Sequence, residues 1–192
     1  MKVYDISQEV FSCKVYPGDP KPKRQRLKSF ENGDGYSLTA FSMCAHNGTH
    51  VDAPKHFLQD GKTLDQIPLE QFVGQCLLVR HEGDVTAEDA AQMTEKLGDI
   101  PRLLIAGKAT VTRAAAHIFA DRKLFLVGNE SQSVGPEDAP SAVHKILLGN
   151  GVVLLEGLVL ENVPEGKYIL CAAPLNLSGA DGAPCRAVLI EQ

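Results

Sequence analysis

The chain has 192 residues, 44% of them hydrophobic, with 19 Lys and Arg against 24 Asp and Glu and a net charge of -5. That length and apolar content support one sizeable core, and with no linker, repeat or low-complexity stretch to divide it, one unit spanning residues 1–192 is expected. The acidic balance argues against a phosphate-neutralising surface, and no apolar run approaches the roughly 18 residues of a membrane span, so neither a nucleic-acid nor a membrane partner is expected.

Met1-Lys2-Val3-Tyr4-Asp5 has no signal-peptide apolar core, and the expected location is cytoplasmic. Val3 to Val10 reads as an opening strand, followed by a turn at Tyr16-Pro17-Gly18-Asp19-Pro20. Lys21, Lys23, Arg24, Arg26 and Lys28 then read as an exposed, solvated loop. A strand is predicted from Ser37 to Ala45. Beyond it come a strand at Gln75 to Arg80, a helix at Thr86 to Lys96 with Thr86 as N-cap, and a strand at Arg102 to Ala106.

A helix near Thr112 to Asp121, a strand at Leu124 to Val127 and a helix from about Pro140 to Gly149 follow. Val152 to Leu155, Tyr168 to Cys171 and Ala187 to Ile190 complete the strands. The class is mixed α/β, with at least one sheet covered by helices. The five cysteines, Cys13, Cys44, Cys76, Cys171 and Cys185, contain no C-x-x-C pair and read as free thiols, with Cys44 a weaker candidate ligand.

Three of the six histidines fall in the window His46-Asn47-Gly48-Thr49-His50-Val51-Asp52-Ala53-Pro54-Lys55-His56, where chance would place about a third of one. Neutral imidazole and carboxylate are the side-chain ligands that suit divalent zinc, manganese or iron. His46, His50 and Asp52 share parity, so a strand would project all three from one face, with Gly48 leaving space between them. A turn at Pro54 would put His56 on the far side. The alternative is a hydrogen-bonded polar network without an ion.

The window alone is marginal for a two-metal site. The best additional donors are His144, inside the third helix, and Glu156, which closes the apolar run Val152-Val153-Leu154-Leu155. Taken alone, His144 also fits a structural role on a partly apolar helix face.

The window resembles the H-x-G-T-H-x-D-x-P-x-H signature of the cyclase family of metal-dependent hydrolases, which includes bacterial kynurenine formamidases and isatin hydrolases. The resemblance extends along almost the whole chain. Tyr16-Pro17-Gly18-Asp19 is similar to a W-P-G-D loop, and Ser133 and His144 fit the central pattern. Leu155-Glu156-Gly157-Leu158 and Pro174-Leu175 through Asp181-Gly182-Ala183-Pro184-Cys185-Arg186-Ala187 follow the C-terminal one.

This resemblance implies a swivelling β/β/α domain, mixed sheets with covering helices, and assembly as a homodimer or homotetramer. It implies one ion on His46, His50 and Asp52 and a second on Asp52, His144 and Glu156, with Asp52 bridging and His56 as the catalytic histidine. Two ions so held, zinc first with manganese or iron as alternatives, would bring the pKa of a water toward roughly 7. The implied reaction on the small-molecule substrate is hydrolysis of an amide, formamide or lactam-like bond, as in an arylformamidase.

Two departures bear on the substrate. Tyr16 stands where the formamidases have Trp, and Val127-Gly128-Asn129-Glu130 replaces V-G-T-D. Tyr16, Phe41 and Phe57 are the expected aromatic wall, and Glu130 is expected as a carboxylate that faces the substrate or supports the residues that do. No G-x-S-x-G elbow offers a serine nucleophile, since Ser178 lacks that context. The remaining alternatives are a metal-containing ligand-binding protein without turnover, and a family hydrolase acting on an ester, lactone or cyclic imide.

Overall fold

The computed structural model describes residues 1–191. In chain order it forms β1 (Lys2–Asp5), β2 (Lys23–Lys28), β3 (Leu38–Ser42), β4 (His50–Asp52), β5 (Val73–Arg80), β6 (Gly83–Val85), α1 (Ala87–Leu97), β7 (Arg102–Ala106), β8 (Ala109–Val111), α2 (Arg113–Asp121), β9 (Leu126–Asn129), α3 (Ser141–Gly149), β10 (Val153–Glu156), β11 (Gly166–Cys171), β12 (Gly182–Pro184) and β13 (Val188–Glu191). Nine strands make one mixed sheet in the order β1-β13-β11-β5-β7-β9-β10-β4-β12. The run β5, β7, β9, β10 is parallel and its flanks are antiparallel. The mixed α/β class is therefore observed.

The central residues of the parallel strands are apolar because both faces are covered, with polar residues such as Arg102, Asn129 and Glu156 at the strand ends, and strand parity decides which side each residue meets. Leu77, Val79, Leu103, Ile105, Val127 and Leu154 join helix residues such as Ala90, Met93, Phe119 and Leu147 in one core. The alternate residues Cys76, Leu78, Leu104, Leu126, Val153 and Leu155 join Ile6, Val51, Phe72, Tyr168 and Leu189 in the other. Each fully buried Leu, Ile or Phe contributes about 1.5–3 kcal/mol. The helices start where expected: Thr86 accepts from Asp89 N–H and closes a capping box, and Thr112 accepts from Ala115 N–H.

Three expectations change. The opening strand stops at Asp5, because Asp5 Oδ1 accepts from Ser7 N–H and Thr49 Oγ1 from Gln8 N–H, turning the chain toward the histidine window. The basic stretch is a strand: Lys23–Lys28 pairs antiparallel with Leu38–Ser42 as a separate two-stranded sheet. It is exposed on both faces, so it carries no apolar alternation for a sequence reading to detect. The strand predicted at 37–45 ends at Ser42. Past it, Asn47 Oδ1 accepts from Cys44 N–H and draws residues 44–47 into a turn.

Candidate metal centre

The register of three strands builds the site. His50 of β4 lies opposite Glu156 of β10, and Asp52 lies opposite Leu154. On the other side of β4, Gly182 of β12 faces Asp52. His144 comes down from α3, and His56 from a short 3-10 turn, Pro54–His56, that the proline starts just after β4. Glu156 stands at the carboxyl end of a parallel strand, where open α/β sheets place their functional groups.

His46 is not on a strand. It sits in the turn before β4, so shared parity holds for His50 and Asp52 only. Gly48 does not open a gap between ligands either. Its φ of +66° is what the turn requires, its position faces Cys13, and its carbonyl accepts from His50 Nδ1 at 2.9 Å.

His50, Asp52, His144 and Glu156 are each at most 3% exposed. His144 Nδ1 donates to Pro140 O at 2.9 Å, as His50 Nδ1 does to Gly48 O. A carbonyl only accepts, so the proton of each neutral ring lies on Nδ1 and each Nε2 turns a lone pair toward carboxylate oxygen. His50 Nε2 lies 3.4 Å from Asp52 Oδ1 and 3.5 Å from Glu156 Oε2. His144 Nε2 lies 3.4 Å from Asp52 Oδ2 and 3.2 Å from Glu156 Oε1. Lone pairs facing carboxylates across 3.2–3.5 Å need a cation between them.

In the metal-free chain that cation is a proton. Burial opposes charge on His144, but its hydrogen bonds to the Asp52 and Glu156 carboxylates outweigh burial and push its pKa up to about 10. His50 is raised by the same two carboxylates against the same cost of burial. Burial resists ionisation of Asp52, yet the histidines around it hold it well below the usual carboxylate range. Asp52 Oδ2 nevertheless has no well-formed hydrogen bond despite complete burial. An orphaned buried carboxylate oxygen beside two imidazole lone pairs fits a divalent ion. His50, Asp52 and Glu156, and separately His46, Asp52 and His56, each bring donor atoms within 4.8 Å of one another.

His46 Nδ1 is 2.8 Å from Asp52 Oδ1, and its Nε2 is 2.9 Å from Asp181 Oδ2. His56 stacks on His46, with ring centroids 3.9 Å apart, and its Nδ1 reaches the same Asp181 oxygen at 3.3 Å. Asp181 was not legible as a site residue. It sits in a quoted C-terminal motif, but nothing in that motif pairs it with a histidine 135 positions earlier.

A cavity of about 400 Å³ opens over these groups, with Tyr16, Phe57, Ser133 and Asp181 in its wall. Tyr16 hydroxyl donates to Glu137 O, and Phe57 packs 4.5 Å from both the His56 and His144 rings. Cys44 also lines it, with Sγ 3.7 Å from Asp19 Oδ2 and a thiol pushed up by burial. Two expected wall residues are elsewhere. Phe41 is exposed on β3, edge-on to Phe11, and borders a different groove. Glu130 is spent on backbone: Oε2 accepts from Gly107 N–H and Oε1 from Leu160 N–H, tying together the loops beyond the sheet. Its neighbour Asn129 likewise donates to Ala109 O and Ser133 O.

A helix-covered mixed sheet carrying a buried histidine and carboxylate cluster beneath an open cavity fits an α/β enzyme that works with a divalent metal. The chain belongs to the cyclase family: residues 4–136 match the family model described as "Putative cyclase". It is 35% identical over 210 residues to a kynurenine formamidase of Salinibacter ruber, covering 98% of this chain and 97% of that protein. Among solved structures it is similar to a potential metal-dependent hydrolase with cyclase activity, at a TM-score of 0.82 and 33% identity over 98% of this chain and 96% of that one. It also shares its fold with isatin hydrolase A from Labrenzia aggregata, at a TM-score of 0.84 and 22% identity over 100% and 94% of the two chains.

Proposed function

We propose that this chain hydrolyses an amide, formamide or lactam-like bond in the manner of an arylformamidase. His46, His50, Asp52, His144 and Glu156 would hold two divalent ions, zinc first, with Asp52 shared between them. The observation that carries the reading is the convergence of His50 and His144 Nε2 on Asp52 and Glu156 at the floor of the cavity. The chemistry a divalent ion brings when bound is polarisation of a carbonyl and acidification of a water.

The chain's own residues supply the rest. Burial lowers the His56 pKa from its ordinary value, with Asp52 and Asp181 opposing and His46 and His144 adding to the fall, and this favours the neutral ring that can accept a proton. With Nδ1 engaged by Asp181, Nε2 is the atom that takes a proton and returns it to the leaving nitrogen. Tyr16 and Phe57 form an apolar wall suited to an aromatic ring. The kynurenine formamidase relatives support a formamide as first substrate. The enzyme is read as a cytoplasmic homodimer or homotetramer of one-domain chains; none of the described helices is long and apolar enough to cross a membrane.

The test is a hydrolysis screen of the zinc- or manganese-loaded chain against aryl formamides, isatin-like lactams, cyclic imides and simple esters. Fastest turnover of the aryl formamides is expected. Turnover confined to esters or imides would move the substrate class, and retention of the ions with no turnover of any compound would replace the hydrolase reading with ligand binding.

A further inference from the structure

Among the described residues, Asp181 is the carboxylate of the cavity wall that contacts both His46 and His56, each through the same Oδ2 atom, at 2.9 and 3.3 Å. Its backbone is fixed on both sides. Ala53 N–H donates to Asp181 O at 2.8 Å, Leu64 N–H donates to Ala180 O at 2.9 Å, and the following β12 pairs with β4. Gly182 makes the approach possible, since a Cβ there would lie 2.7 Å from His46 Cε1.

His46 lies between two carboxylates that only accept, Asp52 at Nδ1 and Asp181 at Nε2, and an ion held on the Asp52 side leaves the hydrogen-bond chemistry one solution for the neutral ring. A carboxylate accepts only, so each ring nitrogen that meets Asp181 Oδ2 is the one that donates. With the ion on the Asp52 side, His46 carries its proton on Nε2 and offers Nδ1 as the ligand atom, and His56 carries its proton on Nδ1, which leaves Nε2 free. The two rings are stacked, and one anion assigns them opposite tautomers.

We propose that Asp181 is the positioning residue of this site, setting through one oxygen the ligand nitrogen of His46 and the proton-accepting nitrogen of His56. The assignment rests on the proposed function only for the role of His56. The tautomers and the metal affinity exist without any substrate. Outer carboxylates of this kind typically change metal affinity or activity 10–100-fold when removed.

The experiment compares the wild-type chain with Asp181→Asn and Asp181→Ala, each first checked by circular dichroism. Three quantities are read: histidine ring ¹⁵N NMR signals of the zinc-loaded chain, zinc affinity by chelator competition, and kcat and KM on an aryl formamide. Expected in both variants are a shift of His46 and His56 to mixed tautomers and zinc binding about 10–100-fold weaker. Expected too is a fall in kcat of similar size with KM little changed. Unchanged tautomer signals and unchanged zinc affinity in folded Asp181→Ala protein would overturn the proposal, whatever the turnover. If wild type turns over no formamide while the tautomers shift as described, the functional reading fails and the positioning of His46 stands.

Discussion

His50 and His144, 94 residues apart, are set in the same way: each gives Nδ1 to a backbone carbonyl at 2.9 Å and points Nε2 at both Asp52 and Glu156. One comes from a three-residue strand and the other from a helix. The backbone carbonyls of Gly48 and Pro140 fix the ring orientations before any ion arrives, which is the outer-sphere arrangement expected of metal-binding histidines.

Asp52 lies within 3.4 Å of His46, His50 and His144. Asp52→Ala is therefore expected to lower metal content from about two ions per chain to near zero, measured by elemental analysis of protein purified without chelator. Loss of a single ion would remove the bridging role.

Metal uptake should release protons. His144 has a folded pKa of about 10, above the ordinary value of about 6.5, so at pH 7–8 an ion must displace its proton. Calorimetric titration with zinc in two buffers of different ionisation enthalpy should show release that fades as pH approaches 10. The same shift fixes the sign for stability. A raised folded pKa stabilises the metal-free chain fully below about pH 6.5 and is lost as pH rises through about 10. Asp52, held low, contributes in the opposite sense, above its ordinary value of about 4 and not below its folded one. The metal-free Tm should thus decline from pH 6.5 to 10, and zinc should flatten that decline.

His56→Ala is expected to retain its ions and lose about 10²–10⁴ in kcat, by metal analysis and steady-state kinetics together. Loss of metal instead would make His56 a ligand, a role its place in the His46, Asp52, His56 donor group also permits.

Gly182→Ala puts a methyl 2.7 Å from both His46 Cε1 and Val51 O. Overpacking of this kind costs about 1–3 kcal/mol, and here it also moves a proposed metal ligand. A lower Tm together with weaker zinc binding is expected. An unchanged zinc affinity would mean that His46 is not held by this contact.

The site was readable where its residues are sequence neighbours or close an apolar run. The window gave His46, His50, Asp52 and His56, and the end of β10 gave Glu156. It was unreadable where long-range register decides. Asp181 reaches the histidines only because β12 pairs with β4, and Glu130 turns to the Gly107 and Leu160 amides rather than into the cavity. The fold divides in the same way. The helices and parallel strands announce themselves by caps and apolar runs, whereas the exposed β2 is a strand only by virtue of pairing with β3. Phe41 reads as an aromatic wall by residue type alone, and its place on that hairpin takes it to another groove.

The central claim is that the His50, Asp52, His144 and Glu156 cluster is a metal centre that drives hydrolysis. The direct measurement is aryl formamide turnover by the purified chain before chelation, after chelation and dialysis, and after return of zinc or manganese. The account predicts activity that disappears with the metal and returns with it, with Asp52→Ala inactive throughout. A rate unchanged by stripping the metal would contradict it.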